Sequence, residues 1–290
     1  MEADLARVDD ELLRVVRSDD AFLTEVASHL IRAGGKRVRP GFAIASAAVL
    51  DPDGAAAPHD VIRGGVAVEL VHIGSLYHDD VMDDAATRRA VRSVNAEWGN
   101  LRAILAGDYL LGRASEIAAD LGTEVAGLLA TTITRLCEGQ ILELESAHDT
   151  RRSIERYERS IEGKTAALLA TACRIGAVVA DLPRSVVEAV TRFGHAYGMA
   201  FQIVDDILDV VADDEELGKP AGNDLLEGIF TLPVLHALAE PDTGPELAAL
   251  LEGRLDDAGR DRARDLVRAS GGVDRALDRA RSFADEAAAA

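Results

Sequence analysis

The residues best suited to chemistry are carboxylates in two matching triplets. Leu70 to Arg89 reads LVHIGSLYHDDVMDDAATRR, which sets Asp79, Asp80 and Asp83 in the spacing D-D-x-x-D, with Asp84 next. Phe201 to Asp209 reads FQIVDDILD and repeats the spacing with Asp205, Asp206 and Asp209. On a helix, Asp79 and Asp83 lie one turn apart on one face. Two like charges so placed destabilise a helix by about 0.2–0.5 kcal/mol. A hard divalent cation offsets that cost. Magnesium takes one or two carboxylates and completes its shell with water and substrate phosphate. For the first triplet, a solvated acidic face is the plain alternative in a chain of formal net charge -20. The second triplet weighs against it, because its carboxylates sit among Ile203, Val204, Ile207, Leu208 and Val210. Charge beside buried apolar surface is costly unless it is paired or metal-bound. Two such clusters predict two walls of a cavity that holds metal and a polyanion.

A polyanion also needs cations. Gly34-Gly35-Lys36-Arg37-Val38-Arg39 offers two glycines, whose backbone can approach a phosphate, and three basic residues. Alone this is a common kind of basic loop; its weight comes from standing in an acidic chain beside two acidic triplets. Arg88 and Arg89 follow Asp79 by about two helical turns, either as surface residues ending a helix or as bidentate clamps on phosphate oxygens. Lys164-Thr165 follows Gly163, and Lys219 sits in a Gly-Lys-Pro loop. His72, two turns before Asp79 on the same side, leads toward the acidic cluster. Gln202 precedes Asp206 by four residues and points to the same region. Gln140 and Glu143 are ambiguous alone.

The elements that must carry these residues read as helices. The chain has 290 residues, 48% of them hydrophobic but only 4% aromatic, so the core is aliphatic. Charged residues make up 28%, and Ala, Leu, Glu and Arg dominate, which favours helix. The run from Ser75 to Arg89 has no Gly or Pro, which predicts one helix through Arg89. No sustained period-two alternation and no solenoid repeat is present. The expected fold is all-α, a single domain over residues 1–290 built as a helical bundle around a central cavity. The acidic balance argues against nucleic-acid binding. Cys137 and Cys173 have no metal-ligand spacing and read as small buried hydrophobes. No signal peptide or membrane-length apolar run is found, so a cytoplasmic location and no transmembrane segment are expected. The chain stops inside a helical pattern, which reads as a truncated C-terminus.

Taken together, GGKRVRP, LVHIGSLYHDDVMDD, TRR, GDYLL, EGQ, GKTA, FQIVDDILD, LGKPAGND and TLP resemble the all-trans isoprenyl (polyprenyl) diphosphate synthases over roughly residues 34–238. The resemblance implies an isoprenoid-synthase bundle, a homodimer, and two aspartate motifs facing each other across the cavity. It implies Mg2+, three ions with diphosphate bound. Asp79, Asp83 and Asp205 then resemble direct metal ligands, with Asp80, Asp206, Asp209, Asp224 and Glu143 nearby or water-mediated. Arg88, Lys164, Thr165, Gln202 and Lys219 resemble contacts to the allylic diphosphate. Gly35, Lys36, Arg39, His72 and Arg89 resemble the isopentenyl diphosphate site. The implied reaction is head-to-tail condensation of isopentenyl diphosphate with an allylic diphosphate. Its carbocation loses a proton, with released diphosphate as the implied base. The chain departs from the family in four places: Ile229 stands where Lys is common, Ala90 and Arg92 replace Gly-x-Pro after TRR, Glu143 stands for Asp, and the basic or aromatic tail is missing.

Product length is read from the residues before Asp79. Position 74 lies about 7.5 Å deeper along the helix axis. Gly74 and Ser75, with Val71 beyond, carry no aromatic plug, so the product is expected to be longer than farnesyl, of the long polyprenyl kind, with geranylgeranyl second. A phenylalanine at position 74 is expected to shorten it. Deeper bulk falls to neighbouring helices around Ile104, Leu105, Ile133 and Leu136. Two other functions compete: a class I terpene cyclase, and a non-catalytic subunit of a heteromeric synthase. A cyclase has no use for GGKRVR, and its second metal motif mixes other residues. Silent subunits tend to lose aspartates that this chain keeps.

Overall fold

A computed structural model describes residues 1–52, 54, 56–212 and 221–290. The described residues are helical almost throughout, as expected, and group into two compact units. Unit 1 comprises Met1–Ile133 and Leu168–Gly194; unit 2 comprises Thr134–Ala167 and His195–Ala290.

In unit 1, α1 (Glu2–Val15), α2 (Ala21–Arg32) and α3 (Val38–Ala47) precede the long α4 (His59–Met82). Asp20 caps α2 by accepting from the Leu23 N–H. Helix α4 is apolar on nearly every side, from Val61 and Ile62 to Ile73 and Tyr77, and all of these are buried. A helix with no polar face belongs at the centre of a core. It packs most closely on α6 (Asn100–Asp120). Glycines make that crossing tight: a Cβ at Gly74 would meet the Gly107 carbonyl oxygen at 3.1 Å and Leu111 at 3.4 Å. The Tyr77 hydroxyl donates to the Val26 carbonyl at 2.8 Å, which ties α4 to α2.

The helix predicted to run through Arg89 ends at Met82 instead. The Asp83 N–H closes the last turn on the Asp79 carbonyl at 2.8 Å, and Asp84 then turns to φ 50°. Thr87–Arg88 and Val91–Arg92 form a two-residue antiparallel ladder, the turn between them made by Arg89 and Ala90 at positive φ. The absence of Gly and Pro was a poor guide because side chains supply the stop. Asn95 donates to the Asp80 and Ala85 carbonyls at 2.9 and 3.2 Å, and the Ser93 hydroxyl donates to Ala85 at 2.5 Å. Ser93 also caps α5 (Val94–Trp98).

Unit 2 takes the second part of α7 (Thr123–Leu144), then α8 (Ile154–Ile161), and a π-helical turn, Glu162–Ala166, that leads into α9 (Ala167–Val179). Ser153 caps α8 by accepting from the Arg156 N–H, and of the two cysteines expected to be buried, Cys173 is and Cys137 is exposed. Helix α10 (Arg184–Val211) starts in unit 1 and carries the second triplet into unit 2. After the undescribed residues 213–220 come α11 (Asn223–Glu227), α12 (Leu232–Leu238), α13 (Gly244–Leu251), α14 (Asp257–Ala269) and α15 (Gly272–Ala289). Their shared core includes Tyr157, Ile203, Ile207, Phe230, Leu235 and Phe283.

Candidate active site

The predicted residues form two clusters, one in each unit. In unit 1, Asp79 is partly buried on the last turn of α4, while Asp83 and Asp84 are exposed beyond its end. Asp80 is 0% exposed. Arg88 grips its Oδ1 with Nε at 2.7 Å and a terminal nitrogen at 2.6 Å. Burial pushes the Asp80 carboxyl up from the ordinary range, and the Arg88 bond and charge oppose that shift. Its Oδ2 is buried with no hydrogen-bond donor among the described residues. Arg88 therefore sits beside the triplet through the hairpin, not as a helical residue two turns on.

A basic cluster lies in the same unit. Arg37 is buried in a left-handed conformation, φ 46°. It bonds Asp9 at 2.7 Å, Glu69 at 3.1 Å and the Ile31 carbonyl at 3.0 Å. Arg89 bonds the Leu30 and Gly34 carbonyls at 2.9 and 2.5 Å and lies 3.7 Å from Glu69. Gly35 fits beneath both arginines; a Cβ there would meet Arg37 at 3.0 Å and Arg89 at 3.1 Å. Lys36 is exposed, whereas the buried Arg39 Nε has no acceptor among the described residues. Burial lowers the pKa values of Arg39 and Arg89, and Glu69 opposes both shifts. His72 is held well below the ordinary imidazole range by burial, then by Arg39, Arg89, Arg88 and Arg37. It is neutral at neutral pH. Glu69, 2% exposed, is the counter-charge that holds this cluster together. It was not singled out from the sequence, although a lone acid within GGVAVELV is a legible sign of a buried, paired charge.

The chain-length residues share α4. Val71 and Gly74 are buried, and Ser75 is partly exposed, its hydroxyl donating to the His72 carbonyl at 2.9 Å. Gly74 faces the α6 backbone, so a ring there must displace Leu111 or the helix itself. Ile104 and Leu105 are exposed on α6, and Ile133 and Leu136 are partly buried.

In unit 2, Gly139 and Gly163 let α7 and the π turn approach backbone to backbone: a Cβ at Gly139 would meet the Lys164 nitrogen at 2.7 Å. π turns are frequent at functional sites. This one aims Lys164 at Glu143, with Nζ–Oε1 at 2.5 Å. Thr165 donates to the Gln202 side-chain oxygen at 2.7 Å, and Gln202 Nε2 donates to Asp206 Oδ1 at 2.8 Å. The Tyr157 hydroxyl donates to Asp206 Oδ2 at 2.5 Å. Burial drives the Asp206 carboxyl up to about 7, with Tyr157 and Gln202 pulling it back. Asp205 is exposed, and Asp209 is buried where it accepts from the Asp224 N–H at 3.3 Å. The buried Gln140 Oε1 has no donor among the described residues. The N–H of Ile229, which stands at the family's lysine position, donates to the Asp224 carbonyl at 2.8 Å. Lys219 lies outside the described residues. Tyr157 and Arg152 were not singled out from the sequence, because their partners lie far away in the chain.

Among the described residues, no three His, Cys, Asp or Glu side chains could hold a metal ion by themselves. The donors nonetheless fit a hard divalent cation. All are carboxylates, and the buried Asp80 Oδ2 lacks a donor among the described residues. Magnesium needs only one or two of them beside water and phosphate.

The all-α fold is that of the isoprenyl synthases. A polyprenyl synthase from Caulobacter crescentus, complexed with calcium and isoprenyl diphosphate, is 37% identical and superposes with a TM-score of 0.91 over 99% of this chain and 88% of its own. The polyprenyl synthetase family matches residues 20–267, and this chain belongs to it. The nonaprenyl diphosphate synthase of Mycobacterium tuberculosis is 42% identical over 99% of this chain and 85% of its own. A heptaprenyl diphosphate synthase component 2 from Geobacillus stearothermophilus is 44% identical over 85% and 76%.

Proposed function

We propose that this chain is a Mg2+-dependent prenyltransferase acting as a single catalytic domain. It condenses isopentenyl diphosphate head-to-tail with an allylic diphosphate to give a trans-polyprenyl diphosphate longer than farnesyl. The observation that carries the reading is the basic cluster of unit 1. In a chain of net charge -20, Arg37, Arg39 and Arg89 gather around one buried carboxylate, Glu69, leaving a buried Arg39 Nε without an acceptor among the described residues. A surplus of desolvated guanidinium suits a diphosphate, which guanidinium forks bind bidentately. Neutral His72 adds a hydrogen-bonding group without adding charge.

In this reading, Gly35, Lys36, Arg39, His72 and Arg89 hold isopentenyl diphosphate. Arg88, Lys164, Thr165, Gln202 and Lys219 hold the allylic diphosphate. Asp79, Asp83 and Asp205 are the direct metal ligands, and Asp80, Asp206 and Asp209 support them. Bound Mg2+ supplies positive charge to the leaving diphosphate. Lys164 exchanges Glu143 for a diphosphate oxygen, so its charge reaches the leaving group where it develops. The allylic C–O bond breaks, the isopentenyl double bond forms the new C–C bond, and a proton leaves. The nonaprenyl and heptaprenyl relatives support a long product.

Assembly as a homodimer accounts for the apolar face of α6, where Leu101 is 72% exposed beside Ile104 and Leu105. The component 2 relative supports a second reading, in which the chain works with a different subunit. No described helix is long and apolar enough to cross a membrane. The test is to incubate the purified chain alone with isopentenyl diphosphate, Mg2+ and allylic primers of several lengths. Extended trans-polyprenyl diphosphates are expected. Unconsumed isopentenyl diphosphate would refute the reading for the isolated chain, and light scattering separates monomer from dimer.

A further inference from the structure

Helix α8 presents Tyr157 to the second triplet from a position 49 residues earlier in the chain. Its ring is buried, and its hydroxyl ends a continuous line of side chains within unit 2. That line runs Thr165 to Gln202 at 2.7 Å, Gln202 to Asp206 at 2.8 Å, and Tyr157 to Asp206 at 2.5 Å. Each Asp206 oxygen thus accepts from a neutral donor. Asp206 itself is buried, while its neighbour Asp205 is exposed. Behind Tyr157, Arg152 is buried with its guanidinium 5.4 Å from the ring centroid. Arg152 is anchored by the Phe230 carbonyl at 3.2 Å and the Ser160 hydroxyl at 2.5 Å.

We propose that Tyr157, backed by Arg152, is a positioning residue: it fixes Asp206 as a hydrogen-bonded keystone that orients Gln202 and Thr165 and sets the direction in which Asp205 is presented. The physical reason is rotamer control. Asp206 and Gln202 lie one turn apart on α10 and share a bond, but two side chains bonded only to each other can still swing together. A third group fixed on another helix removes that freedom. Partners that orient ligands in this way are worth about 10–100-fold in metal affinity or activity. Arg152 lies over the ring face, 5.4 Å from its centroid, and so favours one orientation of the ring. The geometry also divides the labour in the triplet. The middle carboxylate looks inward to Tyr157 and Gln202, and the exposed Asp205 looks outward.

This inference rests on the proposed diphosphate and metal chemistry. Its test therefore starts with binding: Mn2+ with inorganic diphosphate, followed by electron paramagnetic resonance on the wild-type chain, Tyr157→Phe, Asp206→Asn and the double variant. Wild type is expected to bind; if it does not, the metal reading fails and the role of Tyr157 falls with it. If wild type binds, Tyr157→Phe should weaken Mn2+ binding about tenfold. Asp206→Asn should do the same, and the double variant should be no worse than the weaker single, because both changes cut one path. In steady-state assays, Tyr157→Phe should raise the Mg2+ requirement and the KM for the allylic diphosphate. Its KM for isopentenyl diphosphate, whose proposed contacts all lie in unit 1, should stay within about twofold. Wild-type Mn2+ affinity in folded Tyr157→Phe overturns the inference, as does an equal rise in both KM values or additive losses in the double variant. If Tyr157→Phe does not fold, unchanged Mn2+ affinity in Asp206→Asn overturns it alone.

Discussion

The two aspartate triplets have the same spacing, yet the fold treats them differently. The first sits where a helix stops: α4 ends at Met82, and Asp83 and Asp84 lie beyond it. The second sits within a helix that continues to Val211. In both, the middle carboxylate is buried, but Asp80 is held by the charge of Arg88, and Asp206 by the neutral groups of Tyr157 and Gln202. A charged partner opposes the cost of burying an ion more than a neutral donor does; burial, with the charges of Asp205 and Glu143 adding to it, drives the Asp206 carboxyl up to about 7. One spacing can thus serve two electrostatic settings, and the partner decides which.

The largest expected effect tests whether Asp79 and Asp205 share one role. Asp79→Ala and Asp205→Ala should each lower kcat by at least about 100-fold, if each supports charge developing on the leaving group. A loss confined to one of them would break the symmetry.

The next effect concerns the partners of the buried pair. Arg88→Ala strands Asp80 Oδ1, and removing one partner of a buried pair costs about 3–5 kcal/mol. Arg88 is partly exposed, so water offsets some of that cost, and urea unfolding should show a loss of about 1–3 kcal/mol. Asp80→Asn in the same background should recover part of it. Tyr157→Phe removes only a neutral donor and should cost about 1 kcal/mol. Equal losses for Arg88→Ala and Tyr157→Phe would erase the contrast.

A finer test is pH. The Asp206 carboxyl titrates higher folded than unfolded, so the folded state binds the extra proton. Stability should fall as pH rises from about 4 to about 7, and Asp206→Asn should flatten that slope. His72 in unit 1 has the opposite sign. Its folded pKa lies below the ordinary 6.5, so its contribution is present above pH 6.5 and lost as pH falls below it. His72→Gln should flatten that second slope. Urea midpoints from pH 4 to 8 measure both.

The smallest shift expected is in product length. Gly74 packs on the α6 backbone, so Gly74→Phe tests packing as much as any tunnel. Ser75 is partly exposed and is the cleaner position. Ser75→Phe should shorten the main product with little change in melting temperature; an unchanged product would show that the stopper lies elsewhere.

Much of this was legible in the residues themselves. Helicity followed from composition and periodicity. Two identical acidic spacings, a glycine-led basic run and Lys164-Thr165 marked out the candidate groups in the sequence. The stop of α4 was not legible, because no Gly or Pro marks it: Asn95 and Ser93 make it from beyond the turn. Glu69 was half legible, as one acid in an apolar run.

What the sequence alone determined was which groups are available and which share a helix face, since both follow from residue type and the 3.6-residue turn. What only the tertiary structure decided was the partner of each buried charge. Arg37 and Glu69 are 32 residues apart, and Tyr157 and Asp206 are 49 apart. No local period encodes such pairs; they form only when the packing of apolar faces brings distant helices into register, and that packing sets whether a buried carboxylate meets a charge or a hydroxyl.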